Sequence, residues 1–227
     1  MGIIDEAVSK GQKALSEYQA KIFLSEYDIP VTREELVMGE EEAIKTAESM
    51  GFPVVLKANG PDISHKTERN LVQVGLDDPE EVRTAYKEII ENLGDEPYDG
   101  VLVQEMIKGE REFVVGLVRD PQFGPCVMFG LGGIFTEVLK DTSFRVAPIE
   151  KYDALQMMDE IQSKDLLGPF RGKEAVDRDQ LAGILIAVGD IGMKYDDVME
   201  IDINPVKTDG SRPVAVDALV VLGNGTD

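Results

Sequence analysis

Two carboxylates and an amide stand at alternate positions in Glu200-Ile201-Asp202-Ile203-Asn204, and Pro205 follows them. Successive side chains of a strand point to opposite faces, so Glu200, Asp202 and Asn204 share one face. A row of hard oxygen donors suits Mg²⁺. For the strand alone, ordinary polar alternation on an exposed face accounts for it equally well. Asp217, in Val214-Ala215-Val216-Asp217-Ala218, sits on what reads as the paired strand and adds a further carboxylate. The two segments together point to a metal–phosphate site.

The second candidate is His65, the only histidine, in Gly60-Pro61-Asp62-Ile63-Ser64-His65-Lys66-Thr67-Glu68. A neutral imidazole is a competent nucleophile near neutral pH and can form a phosphoramidate. The competing reading is a solvated loop histidine. With one histidine and one cysteine, Cys126, neither a catalytic triad nor a cysteine–histidine metal cluster can be assembled. A reacting His65 is therefore a phosphoryl or proton carrier. Lys57 ends the apolar run Pro53-Val54-Val55-Leu56, where a lysine either snorkels past the sheet edge or meets an anion. Gly130-Leu131-Gly132-Gly133-Ile134-Phe135-Thr136-Glu137 reads as a strand-to-helix junction. Gly132 and Gly133 would let backbone amides approach an anion at a helix start, although most such segments are plain turns. The spacing fits neither the dinucleotide fingerprint nor the Walker A loop. Arg145, downstream, either neutralises a phosphate or forms a surface ion pair.

The elements that must position these residues follow from periodicity. Residues 14–27 read as an amphipathic helix, Val31 to Met38 as extended chain, and Glu40 to Met50 as a helix with Gly51 just past its end. Strands are expected at Pro53–Lys57, Leu71–Leu76 and Val101–Glu105, with a helix from Pro79 to Leu93. Further strands are expected at Glu112–Val118, Pro125–Phe129, Val198–Ile203 and Val214–Ala218, with helices near 152–162 and 177–189. Strand–helix alternation followed by consecutive strands gives an α/β (α+β) chain of two unlike halves with a hinge near Glu105 to Gly109. The expected divisions are a helical extension at 1–17, a first subdomain at 18–106, a second at 107–222 and a loose tail at 223–227.

Composition narrows the function classes. Hydrophobic residues make up 43% of the 227, enough for a packed core, and no apolar run approaches the roughly 20 residues that cross a bilayer. The first residues lack an apolar signal-peptide centre, so a cytoplasmic chain is the plain expectation. Against 23 basic residues stand 44 acidic ones, a formal charge of −21 that disfavours nucleic acid and anionic membranes. The acids read either as a solvated surface with helix starts favoured, or as adaptation to a salty interior. On either reading, lysines and arginines beside glycines carry extra information.

In their order along the chain, five segments resemble the ATP-grasp fold, and specifically the beta subunits of ADP-forming acetyl-CoA synthetases, relatives of the succinyl-CoA synthetase beta chain. They are Glu17 to Val31, Gly51 to Lys57, Pro61 to Glu68, Asp120 to Gly133 and Glu200 to Pro205. The resemblance implies two subdomains that clamp ATP. Lys57 would contact its phosphates; Glu105, Met106 and Ile107 would lie at the backbone that reads adenine; Glu112 would hold the ribose. Gly132, Gly133 and Arg145 fall among the implied ATP-binding residues. Asn204 and Asp217 would hold Mg²⁺ with Asp202 close behind, and His65 would be the phosphohistidine. It further implies an alpha subunit with the CoA site and another phosphohistidine, as a heterotetramer. The pattern departs at Asn70-Leu71, where many relatives carry a glycine pair. Two other readings stay open: an ATP-grasp carboxylate ligase that needs no histidine, and a nucleotide-binding regulatory or scaffold domain without turnover.

Overall fold

The computed structural model describes residues 2–63, 66–133, 141–169 and 172–223. His65 and the Ile134-Phe135-Thr136-Glu137 part of the glycine-rich junction lie outside the described residues. The contacts divide the chain into two compact units. The smaller holds Ser16–Tyr18 and Thr32–Met106, and the larger holds the rest.

In the smaller unit, strands β1 (Glu34–Val37), β2 (Val54–Asn59), β3 (Val72–Leu76) and β4 (Gly100–Glu105) form a sheet of order β1-β4-β2-β3. All its pairings are antiparallel. Helices α3 (Glu40–Met50) and α4 (Pro79–Leu93) cover one face. Their ends follow the sequence rules. The Asp78 side chain accepts from the Glu81 N–H at 2.9 Å and Pro79 opens α4. Gly51, with φ 91°, stops α3 where a side chain would be strained. Val54, Leu56 and Ala58 of β2 join the core with Ala43, Ala47, Val82 and Ile89, so Lys57 and Asn59 point to the opposite face.

The larger unit is built on strands β5 (Glu112–Asp120), β6 (Gly124–Leu131), β7 (Thr142–Val146), β8 (Val198–Asp209), β9 (Arg212–Ala215) and β10 (Leu219–Leu222). Their order is β10-β8-β5-β6-β7, with β9 also paired to β8. These pairings too are antiparallel. Helices α1 (Ile3–Ser9), α2 (Glu17–Ser25), α5 (Lys151–Glu160) and α6 (Arg178–Lys194) complete the description. The core joins Phe113, Val115 and Leu117 of β5 to Val127 and Phe129 of β6, Ile201 and Ile203 of β8, and Leu181, Leu185 and Val188 of α6.

The strands β7 and β10 were not expected from the sequence. Each is short, with exposed apolar residues (Phe144, Val146, Leu219) that blur the alternation. Helix α2 begins at Glu17, later than position 14, because Leu15 is bridged by backbone to β10, its N–H donating to Val220 O at 2.9 Å. Gln19–Val31 groups with the larger unit, although the sequence reading assigned 18–31 to the first half. The reason is burial: Ala20, Phe23, Leu24 and Ile29 are core residues beside α1 and α6. Among the described residues no helix is long and apolar enough to cross a membrane.

Two glycines of α6 give opposite expectations. A Cβ at Gly192 would overlap the Leu117 side chain and come within 2.8 Å of Pro125 Cβ, whereas one at Gly183 meets nothing within 4 Å. Gly192→Ala should therefore lower stability by about 1–3 kcal/mol through overpacking. Gly183→Ala should raise it by roughly 0.5–1 kcal/mol through helix propensity. Urea midpoints of the two variants test this, and shifts of the same sign would contradict the packing described.

Candidate functional site

In the larger unit the donor row lies on β8. Ile201 and Ile203 belong to the core, so the pleat turns Glu200, Asp202 and Asn204 to the other face. The ladder with β5 breaks there: Ile203 pairs with Val115 and Val206 with Phe113, so Asn204 and Pro205 together face the single Val114. This is a β-bulge, and proline, without an N–H to donate, is tolerated at one. Asp217 is not on a strand, contrary to the sequence reading, because β9 ends at Ala215. It lies in the short connection from β9 to β10, two strands that pair with the same β8 at Val206 and Asp202. Residues 216–218 thus run beside Ile203–Pro205, and the Val216 N–H donates to Pro205 O at 3.0 Å. The buried Lys21 of α2 donates to Val216 O at 3.1 Å and fixes the same connection. No sequence motif had singled out Lys21.

Burial pushes the Asp202 carboxyl up to about 6, and the negative charges of Glu200 and Asp217 push in the same direction. A divalent cation would relieve that crowding, so the donor chemistry fits Mg²⁺. Among the described residues no group of three or more His, Cys, Asp or Glu side chains is gathered closely enough to hold a metal alone. Mg²⁺ commonly takes one or two protein carboxylates together with substrate phosphates and water.

Glu112 opens β5 and its Oε1 accepts from Lys207 Nζ at 2.9 Å. Its carbonyl accepts the Gly132 N–H at 2.8 Å, so that amide is already engaged. What Gly132 supplies is close approach: a Cβ there would lie 2.8 Å from Phe113 O. Gly133 takes φ 70°, and a Cβ on it would meet Glu112 Oε2 at 2.7 Å. The Gly130-Leu131 pair does not interrupt the strand, since β6 runs to Leu131.

Arg145 is placed away from the donor row. On β7 it alternates with Ser143, which donates to Met157 O of α5 at 2.9 Å, and the Arg145 guanidinium pairs with Glu160 at the end of α5. It therefore occupies the helix-covered face, while Asp202 and Asn204 occupy the opposite one. The pair holds the Arg145 guanidinium up and the Glu160 carboxyl down from their ordinary values, chiefly through their mutual hydrogen bond. Of the two readings left open for Arg145, the ion pair is the one observed.

The smaller unit carries the other candidates. Lys57, on β2, is buried, and its Nζ donates to Glu17 Oε1 at 2.7 Å. It neither snorkels nor waits on an external anion alone; a buried carboxylate of this chain already meets it. Glu17 Oε2 accepts from Lys66, the residue after His65. Asn59, two residues beyond Lys57 on the same face, accepts the Tyr18 N–H at 3.1 Å, while its Nδ2 is buried with no acceptor among the described residues. Asn70 takes φ 53°, so it supplies the left-handed turn that a glycine commonly supplies. Glu105 accepts from the Arg33 backbone at 2.8 Å and from Arg33 Nε at 2.7 Å, tying the end of β4 to the approach to β1. Met106, next to it, is partly exposed and closes the smaller unit, and Ile107 opens the larger. Glu17 is the residue that motif reading undervalued. It is the single acid in the first turn of α2 and reads as an ordinary helix-start acid.

The fold and these residues define a nucleotide-grasping class of protein. A family model described as an ATP-grasp domain matches residues 6–222. The beta subunit of acetate–CoA ligase [ADP-forming] I of Pyrococcus furiosus is 42% identical over 224 residues, covering 97% of this chain and 96% of that protein. Acetate–CoA ligase [ADP-forming] I of Archaeoglobus fulgidus is 38% identical over 97% of this chain, which spans 33% of that longer protein. A solved structure of acetyl-coenzyme A synthetase 1 of Candidatus Korarchaeum cryptofilum, with coenzyme A, Ca-AMPCP and HgCl⁺, superposes with a TM-score of 0.93. It is 44% identical, over 97% of this chain and 98% of that one. Other structures of that enzyme are described with Mg-AMPPCP and a phosphohistidine segment pointing towards the nucleotide binding site, and with a phosphorylated phosphohistidine segment in the site I orientation. The chain belongs to the ATP-grasp family, among the beta subunits of ADP-forming acetate–CoA ligases.

Asp202 generates a pH prediction. A carboxyl whose folded value is raised binds protons that the unfolded chain, near the ordinary value of about 3.9, has already released. Between about pH 4 and 6 it should therefore subtract stability as pH rises, and the full penalty should be present at pH 7. Asp202→Asn should stabilise the metal-free chain at pH 7, on the order of 2 kcal/mol after solvent screening, and by much less at pH 4. Thermal midpoints of both proteins at the two pH values test it; equal gains at both would remove the titration from the explanation.

Proposed function

We propose that this chain binds MgATP and passes the γ-phosphoryl group to His65, as the beta subunit of an ADP-forming acyl-CoA synthetase that works with an alpha subunit. One observation carries the reading. Lys57, assigned by resemblance to the ATP phosphates, and Lys66, next in sequence to the histidine, converge on the same buried carboxylate of Glu17.

In the step assigned to this chain, an imidazole nitrogen of His65 attacks the γ-phosphorus. The bond from that phosphorus to the β,γ-bridging oxygen breaks, and ADP leaves with the electron pair. Phosphoryl transfer of this kind needs in-line positioning and neutralisation of charge on the phosphate oxygens. Lys57 supplies an ammonium group on β2, and Glu17 fixes where it sits. Asn204, Asp217 and Asp202 would hold Mg²⁺, which neutralises phosphate charge when bound. Glu105, Met106 and Ile107 would present the backbone edge to adenine, and Glu112 would orient the ribose. The phosphoryl group on His65 is then consumed or supplied by the partner, so that the net reaction is acyl-CoA + ADP + phosphate ⇌ free acid + CoA + ATP. Acetate is the acid in the names of the Pyrococcus furiosus and Archaeoglobus fulgidus relatives and is the substrate proposed first. The relatives about three times as long as this chain support an alpha partner that supplies the remaining chemistry.

Incubation with γ-³²P-ATP and Mg²⁺ should label the chain with phosphate that is acid-labile, alkali-stable and absent in His65→Asn. Unlabelled protein that still binds nucleotide would transfer the assignment to a histidine-independent ATP-grasp ligase or a nucleotide-binding scaffold.

A further inference from the structure

We propose that Glu17 is a positioning residue of the phosphoryl relay, one that holds the chain beside His65 at the phosphate-binding lysine while ATP donates. The inference rests on the relay described above and adds to it a residue that touches neither nucleotide nor the reacting atoms.

Three observations carry it. The Glu17 side chain is only 2% exposed, and its two oxygens serve two different lysines, Lys57 at 2.7 Å and Lys66. The lysines come from separate parts of the smaller unit, one from β2 and one from the loop before β3, so the carboxylate joins two segments that the sheet does not pair. The loop is anchored on both sides of the histidine, since the Ile63 N–H donates to Gly60 O at 3.3 Å and the Leu71 N–H to Lys66 O at 2.7 Å. Consecutive Cα atoms lie about 3.8 Å apart, so fixing Lys66 limits the reach of the residue before it.

Energetics favour a positioning role over a stabilising one. A buried ion pair contributes little net stability compared with apolar packing, because both partners lose hydration. What the cluster secures is geometry. Attack on phosphorus needs reacting atoms about 3–3.5 Å apart and aligned, and a misplacement of about 1 Å can slow such a step about 100-fold. Holding Lys66 at the carboxylate that also holds Lys57 keeps the residue next in sequence to the histidine beside the phosphate-binding lysine. Discharge of the phosphoryl group at the partner makes no use of that tether.

The test uses the full chain with its alpha partner. Glu17→Gln would leave two ammonium groups without their shared carboxylate and risks unfolding, so Glu17→Asp, Lys66→Met and the double variant carry the experiment, with Lys66→Arg as the conservative control. Four quantities are read: the thermal midpoint, the MgATP dissociation constant, the rate of His65 labelling from γ-³²P-ATP, and the rate of label discharge on adding acetate and CoA. The expected result is labelling at least 10-fold slower in Glu17→Asp and in Lys66→Met. The double variant should be no slower than the slower single one, because both changes break one coupling. In Lys66→Met, MgATP affinity and discharge should stay within about twofold, and Lys66→Arg should recover most of the labelling rate. Labelling at the unaltered rate in the two single variants would overturn the proposal. MgATP affinity falling in step with the labelling rate in Lys66→Met would also overturn it, by making Lys66 a phosphate ligand. Absence of label in the unaltered chain would instead overturn the relay, and is distinguished by that control.

Discussion

The larger unit depends on one constraint: β8 must satisfy three neighbouring strands and two chemically opposite faces. It pairs with β5, β9 and β10, and contributes Val198, Ile201, Ile203 and Val206 to the core. A slip of one residue between 200 and 204 would bury Glu200, Asp202 and Asn204 and expose both isoleucines. Each large aliphatic side chain contributes about 1.5–3 kcal/mol by burial, and an unpaired buried carboxylate is strongly unfavourable. The core therefore decides where the oxygen donors stand, and the bulge at Asn204-Pro205 sets their aim. Asp217 then needs no strand of its own, because β9 and β10 both pair with β8 and carry the connection past the donor row.

In the smaller unit the corresponding constraint is electrostatic. The face of β2 opposite the helices carries Lys57 and Asn59, and burial of both is compatible with folding only if polar partners reach them. The first turn of α2 supplies those partners, a carboxylate to Lys57 and a backbone N–H to Asn59. Ser16–Tyr18 accordingly groups with the smaller unit, although the residues on either side belong to the larger. A three-residue excursion of this kind has no signature in hydrophobic periodicity, which registers α2 through Ala20, Phe23 and Leu24.

How much was legible follows from this division. Helices α3 and α4 were readable to the residue because their ends are marked by local chemistry, Gly51 in one case and the Asp78 cap with Pro79 in the other. The donor row was readable because a period of two is a property of the strand alone. Strands β7 and β10 were not, since both lie at sheet margins where apolar residues face outward. The place of Arg145 was illegible for a related reason. Which face of β7 it occupies depends on Ser143 meeting α5, a contact 14 residues away in sequence. Glu17 was hidden by its ordinariness: an acid at a helix start is expected on dipole grounds alone, and only the fold shows that its carboxylate is buried between two lysines.

The charge of the chain gives these local arrangements their consequence. At −21, the surface repels a polyphosphate, and screening weakens that repulsion without reversing it. Most cations near the candidate residues are already committed to acids of the same chain: Lys207 to Glu112, Arg33 to Glu105, Arg145 to Glu160. A nucleotide therefore has to be met by charge that comes with it or is held in reserve. The raised Asp202 carboxyl, crowded by Glu200 and Asp217, marks a place where a divalent cation gains more than it would beside an isolated acid. Lys57 is held in reserve in the other sense. Its ammonium group is fixed because Glu17 meets it in the interior, so a phosphate would find it already ordered. An acidic chain can thus handle an anionic substrate without a basic surface, provided its few interior cations are pinned and its carboxylates recruit the metal.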